Sequence, residues 1–277
     1  MKRTELVEQI FEKGTFLCVG LDPDIKKIPA CIEGTPGERI ATFCCAIADS
    51  TAPYCVAYKP NTAFFESLGA EGWEALAKVV NHIRTNHPQH FIIADAKRGD
   101  IGNTAALYAR TFFETMDCDA VTLNPYMGLD SVEPFLKYED KWSIVLALTS
   151  NPSATDFETV ADHKGVPMYE RVIRRSRHWG SPINMMYVVG ATQAEHLAAI
   201  REVAPRHFFL VPGVGAQGGS LEEVAKAALI DECGLLVNSS RGIIYASTGE
   251  DYAEAAAKSA SDLRNQMLAL LQQYCAQ

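Results

Sequence analysis

The residues best suited to chemistry in this chain are concentrated in one short stretch. Residues 92–104 read IIADAKRGDIGNT, so Asp95, Lys97, Arg98 and Asp100 follow directly on two isoleucines. Ile92 and Ile93 have the character of a buried strand. The charges after them belong either to a loop that surfaces into water or to a catalytic edge that holds them close. Side chains alternate along a strand, so Asp95 and Lys97 are expected to face the same side. If that side is a pocket, Lys59, Asp95, Lys97 and Asp100 form a row in which each charge keeps its neighbours ionised and oriented. An isolated buried lysine would instead lose its proton through desolvation. Asp100 comes one short turn later and also suits the N-cap of the following helix.

Such a row needs elements that bring distant residues to one place. Apolar runs rich in branched residues recur at 16–21, 55–60, 91–96, 120–125, 143–149, 185–191, 208–213 and 234–240. Helix-like segments separate them, among them ERIATFCCAIADST, EGWEALAKVVNHIRTN and SLEEVAKAALI. The shortest is DSVEPFLKYE, after the fourth run. Residues 4–13 read as a helix closing the bottom, and the tail from Ser247 to Cys275 as a long final helix. Continuous apolar strands alternating with helices imply a parallel sheet buried on both faces. Eight such units match the α/β class with a (β/α)8 TIM barrel, here one domain over residues 1–277. A doubly wound open sheet is the rival topology. The polar segment 151–166 is expected to be a long loop after the fifth strand.

In this barrel the chemistry sits at the C-terminal ends of the strands. Asp22 ends the first strand, Lys59 and Asn61 the second, and Asp95 and Lys97 the third. Asn124 ends the fourth, and Thr149, Ser150 and Asn151 the fifth. Each has an ordinary alternative: a turn at Asp22 or Ser150, or a lysine snorkelling into water at Lys59. Their coincidence on one rim favours function. The seventh strand runs into PGVGAQGG (212–219) and the eighth into NSSRG (238–242). Glycines let backbone N–H groups approach an anion, and Arg241 supplies several donors to a phosphate. Loops after the seventh and eighth strands are the usual phosphate site of this fold.

Composition sets the bounds. Of 277 residues 48% are apolar, and the formal net charge is −9. That is enough apolar residue for a sizeable core, and the charge does not suit nucleic acid as a partner. The 8 cysteines include no C-x-x-C pair, and Cys18, Cys44, Cys45, Cys55 and Cys118 lie in apolar or helical contexts. They are expected to be reduced thiols of a cytoplasmic enzyme. No signal-peptide centre or membrane-length apolar run is present, so no membrane partner is expected.

The D-A-K-R-G-D-I at 95–101 resembles the D-x-K-x-x-D signature of the orotidine 5′-phosphate decarboxylase family. LDPD (21–24), KPNTAFFE (59–66), LTSNPS (148–153), PGVGAQGG (212–219) and SSRGIIYA (239–246) extend the resemblance over nearly the whole chain, in the manner of the longer bacterial subfamily. The signature alone is shared with sugar-phosphate relatives. The resemblance implies decarboxylation of orotidine 5′-phosphate to uridine 5′-phosphate without cofactor or metal. It implies that Lys97 is the general acid that protonates C6, with Asp95 beside the substrate carboxylate and Lys59 on the ribose. It gives Asp22 a ribose hydroxyl and Ser150 the pyrimidine amide, and gives the phosphate to Gln217, Arg241 and the Gly242 N–H. It implies a homodimer with shared sites, in which Asp100, Ile101 and Thr104 reach the neighbouring subunit. A metal-dependent sugar-phosphate lyase and a barrel that only binds a nucleotide are the alternatives.

Overall fold

The computed structural model describes residues 1–191, 194–214 and 219–275. Its centre is a closed barrel of parallel strands β1 (Leu17–Leu21), β2 (Ala57–Pro60), β3 (Phe91–Arg98), β4 (Ala120–Leu123), β5 (Trp142–Leu148), β6 (Met185–Val189), β7 (Phe208–Pro212) and β8 (Leu235–Ser239). The barrel closes where β8 pairs with β1, Cys18 opposite Asn238 and Val19 opposite Ser239. The open-sheet alternative is thereby excluded. Every expected strand is present with its ends within two residues of those read from the apolar runs.

The outer ring consists of α1 (Arg3–Lys13), α2 (Pro36–Thr51), α3 (Thr62–Glu66), α4 (Ala70–Asn86), α5 (Gly102–Arg110), α6 (Glu133–Leu136), α7 (Met168–Ser176), α8 (Ala194–Val203), α9 (Leu221–Ala228), α10 (Arg241–Ile244) and α11 (Tyr252–Tyr274). Local chemistry starts several of them. Thr35 and Glu38 form a reciprocal capping box ahead of Pro36, and the Ser220 hydroxyl accepts the Glu223 N–H at the head of α9. The short helices α3 and α10, at the exits of β2 and β8, have no periodic signature long enough to read in the sequence. The segment 151–166 is less open than expected. It contains a 3₁₀ turn (Pro152–Asp156), and Glu158 folds back so that its carboxylate accepts the Thr149 N–H at 2.7 Å.

The barrel's lower end is plugged by rings. Phe91, Trp142 and Phe208 begin β3, β5 and β7, and they stack edge to face with centroids 6.0 and 6.2 Å apart. A layer drawn from alternate strands is how such a barrel fills its interior. Helix α1 closes this end as expected. The Arg3 guanidinium lies over the Phe208 ring at 4.8 Å, and the Trp142 indole donates to the Met1 carbonyl at 2.9 Å. All 8 cysteines are free thiols, with Cys31 exposed and Cys45 half-buried. Among the described residues no helix is long and apolar enough to cross a membrane.

His207 precedes β7 and carries a pH dependence. Its ring is buried against Tyr187, and neither ring nitrogen has a hydrogen-bond partner among the described residues. Burial, and then the charges of Arg201, Arg3 and Arg177, push its pKa down to about 4. The unfolded chain takes up this proton near pH 6.5 and the folded chain only near 4. Stability is therefore present above the unfolded value and is lost as pH falls through that window, by at most about 3 kcal/mol. His207→Phe is expected to flatten the slope of urea-unfolding free energy between those pH values. An unchanged slope would assign the acid sensitivity to other groups.

Candidate active site

The strand exits at the upper end place the charged residues, and β3 does so through an irregularity. Between Ala94 and Arg98 the register slips: β3 advances four residues while β4 advances only from Val121 to Leu123. Lys97 takes up the slack in the left-handed region, with φ +46°. A bulge of this kind re-aims side chains and is common beside active sites. Asp95 and Lys97 therefore do not meet through plain strand alternation. They meet because the bulge turns the chain between them, and the Lys97 ammonium sits 2.6 Å from Asp95 Oδ1. Arg98 leaves the other way. Its guanidinium pairs with Glu66 at the end of α3 and lies over the Tyr108 and Phe112 rings at 5.2 and 5.4 Å.

Asp95 is the hub. Its second oxygen accepts Lys59 Nζ at 2.7 Å, and the Thr122 hydroxyl donates to the first at 3.0 Å. Lys59 and Asp95 are only 4% and 8% exposed. Burial alone would raise the carboxyl's pKa, but Lys59 and Lys97 outweigh it and hold Asp95 far below the usual carboxylate range. Burial likewise opposes the Lys59 ammonium, and Asp95 and then Asp22 outweigh it, so its pKa lies above the ordinary lysine value. Both groups stay ionised throughout the neutral range.

Thr122 escaped the sequence reading because a lone threonine within AVTL looks like strand filler. Its hydroxyl also accepts the Lys97 N–H at 2.9 Å, supplying the acceptor that the slipped register removes. A polar β-branched residue beside the strand that carries the signature is the signal that could have found it. Thr122→Val is expected to destabilise the fold by about 1–3 kcal/mol, because it strands buried polar groups. Thr122→Ser should retain most of that stability. Equal urea midpoints for the parent and the valine variant would remove this role.

Asp22 stands at the exit of β1 close enough to bias Lys59, and its Oδ1 has no hydrogen-bond partner among the described residues. The same is true of Asn238 Oδ1 and Ser240 Oγ at the exit of β8. Gly20 makes room for them: a Cβ there would fall 2.7 Å from Ser240 Cβ. The Tyr245 hydroxyl fixes this corner by donating to the Asp22 carbonyl at 2.8 Å and accepting the Asp24 N–H at 2.7 Å.

Other expected members are placed differently. Asp100 does not join the charged row of its own chain. Its Oδ1 accepts the adjacent Ile101 N–H at 2.7 Å, and it forms no ion pair among the described residues. Nor does it cap α5, whose N-cap position is Ile101. The register slip at Lys97 lies between Asp95 and Asp100, so strand alternation does not carry Asp100 into the row. Asn61 caps α3, and Asn124 accepts the Tyr126 N–H in a turn, so these two serve the backbone. Ile101 and Thr104 are exposed on the rim and Ser150 is half-buried after β5. Arg241 and Gly242 are exposed at the start of α10. Gln217 lies outside the described residues. The residues flanking it approach each other, the Gly219 N–H donating to the Gly213 carbonyl at 3.3 Å, and a Cβ on Gly219 would fall 2.5 Å from the Cβ of Ala191, two residues beyond β6.

The mouth thus offers two ammonium groups locked on a buried carboxylate, with an arginine on the rim after β8. Such a site can stabilise and protonate a carbanion on an anionic ligand. A sequence model of the orotidine 5′-phosphate decarboxylase / HUMPS family matches residues 15–258. The chain is 56% identical over 267 residues to an orotidine 5′-phosphate decarboxylase of Bacteroides fragilis, covering 96% of this chain and 97% of that one. It is 54% identical over 271 residues to that of Parabacteroides distasonis, covering 98% and 96%. The solved OMP decarboxylase of Leishmania donovani is similar with a TM-score of 0.80 at 36% identity, covering 96% of this chain and 99% of that one.

Proposed function

This chain belongs to the orotidine 5′-phosphate decarboxylase / HUMPS family, and from that premise we propose that Lys97 is the proton donor of its decarboxylation. The reaction takes orotidine 5′-phosphate to uridine 5′-phosphate and carbon dioxide, the last step of de novo pyrimidine nucleotide synthesis. The bond from C6 to the carboxylate carbon breaks, the electron pair stays on C6, and a proton replaces the lost group. The observation that carries the reading is the ion-pair row at the barrel mouth, in which buried Asp95 holds buried Lys59 on one side and the half-exposed Lys97 on the other.

The Lys97 ammonium faces the negative charge growing at C6 and then delivers its proton there. Asp95 holds that ammonium in place and lies beside the departing carboxylate. Lys59 and Asp22 hold the ribose, and Ser150 the pyrimidine amide. Arg241, the Gly242 N–H and Gln217 hold the phosphate. Binding of this distant phosphate favours closure of the loops over the ring and so lowers the barrier at C6. The enzyme acts in the cytoplasm as a homodimer. Asp100, Ile101 and Thr104 complete the partner's site, a reading supported by Asp100 standing outside its own row and by the exposure of Ile101, Tyr126 and Met127 on the same rim.

The test is to incubate purified protein with orotidine 5′-phosphate and a chelator and to follow the loss of substrate absorbance. Continued turnover supports the reading. Activity that the chelator abolishes and Mg²⁺ restores would favour the sugar-phosphate branch of the family. Arg241→Ala tests the phosphate end. Arg241 is exposed and unpaired among the described residues, so folding does not depend on it. Loss of a bidentate charged contact is expected to lower kcat/KM by roughly a hundredfold with no change in Tm. Unchanged kcat/KM would place the phosphate elsewhere.

A further inference from the structure

We propose that Asp49, His82 and His87 form a binding site for a divalent transition cation, with zinc favoured, on the outer wall of the barrel at the end away from the mouth. Asp49 lies in the last turn of α2, His82 in α4, and His87 is the residue that ends α4 just before β3. Because α4 ends there to feed β3, the cluster sits near the strand beginnings.

The geometry is convergent. His82 Nε2 and His87 Nε2 lie 2.7 and 2.8 Å from the same oxygen, Asp49 Oδ1. All three ligand atoms fall within 4.8 Å of one another. A cation about 2.1 Å from each would need them roughly 3.4 Å apart, so each imidazole nitrogen must draw back from Asp49 Oδ1 by somewhat over about half an ångström. The imidazoles are partly covered, at 26% and 19% exposed, while the carboxylate is 52% exposed. That leaves an open side for water, so the set of two imidazoles, one carboxylate and water suits zinc, cobalt or nickel rather than magnesium or calcium.

The rings are also oriented by their neighbours. His82 Nδ1 accepts from the Asn86 side-chain amide at 3.1 Å, one turn further along α4, so Nε2 carries the proton that faces Asp49 and a cation binds there by displacing it. The His87 ring packs edge-on against His90, with centroids 5.6 Å apart. A bound cation would tie α2 to α4, two helices that pack side by side. It would stabilise the folded chain without touching the catalytic row.

The test uses untagged full-length protein, stripped with chelator, and the metals alone. Titration with ZnCl₂ is expected to show one ion per chain and to raise Tm by about 5 °C at roughly a hundredfold excess over Kd. Cobalt is expected to give visible bands of a nitrogen and oxygen site, a readout that needs no variant. His82→Ala and His87→Ala should each weaken uptake at least about a hundredfold while leaving decarboxylation unchanged. Absence of saturable uptake at about a hundred micromolar free zinc would overturn the proposal and leave a hydrogen-bonded clamp. So would uptake that survives in both variants, or a sulfur-to-cobalt band that persists in them, since either would place the ion on a thiol such as Cys31.

Discussion

Lys97→Ala folds as the parent does and loses turnover by at least about four orders of magnitude. The size follows from two roles in one group. A positioned general acid contributes roughly 10²–10⁴-fold and a preorganised charge facing a developing anion roughly 10²–10³-fold. Folding survives because Asp95 keeps Lys59 at 2.7 Å and the Thr122 hydroxyl at 3.0 Å, so no buried charge is stranded. The Lys97 side chain itself is 52% exposed, which makes its truncation inexpensive to the core. Circular dichroism and Tm should match the parent while single-turnover decarboxylation nearly vanishes. A variant that still releases carbon dioxide at the parental rate would require another proton donor.

Asp100→Ala is likewise expected to be folded and nearly inactive, and its activity should return on mixing with Lys97→Ala. In its own chain Asp100 is occupied with the Ile101 N–H and takes no part in the Lys59–Asp95–Lys97 row. Truncating it therefore costs little stability. If its carboxylate serves the partner's site, a mixed dimer has one site with both residues intact and one with neither. Random exchange makes about half the dimers mixed, so about a quarter of parental activity should appear. Refolding the two variants together and assaying the mixture measures this. A mixture no more active than its components would show that the sites are not shared.

Much of the barrel was legible in the chain itself. A strand buried on both faces must be continuously apolar, and eight such runs bounded by polar residues marked β1 to β8 closely. Polar residues at the ends of those runs marked the rim, because a parallel barrel exposes all its strand ends of one sense together. What could not be read was any feature that depends on register between strands. Strand alternation predicted that Asp95 and Lys97 share a side, yet their meeting rests on a bulge and a left-handed Lys97. Thr122 became a partner only because the slipped ladder left the Lys97 N–H facing its hydroxyl.

By itself the sequence determined which segments are strands, which ends are polar and which residues carry charge, because these follow from local periodicity and side-chain solubility. The tertiary structure alone decided which charges touch. It drew Lys59 and Lys97 onto one carboxylate, left Asp100 outside, and set His82 and His87 on Asp49 across two helices. Those outcomes depend on how far each strand slides against its neighbour and how the helices settle on the barrel. No pattern within a single segment encodes that offset, since it is fixed by the packing of the whole core.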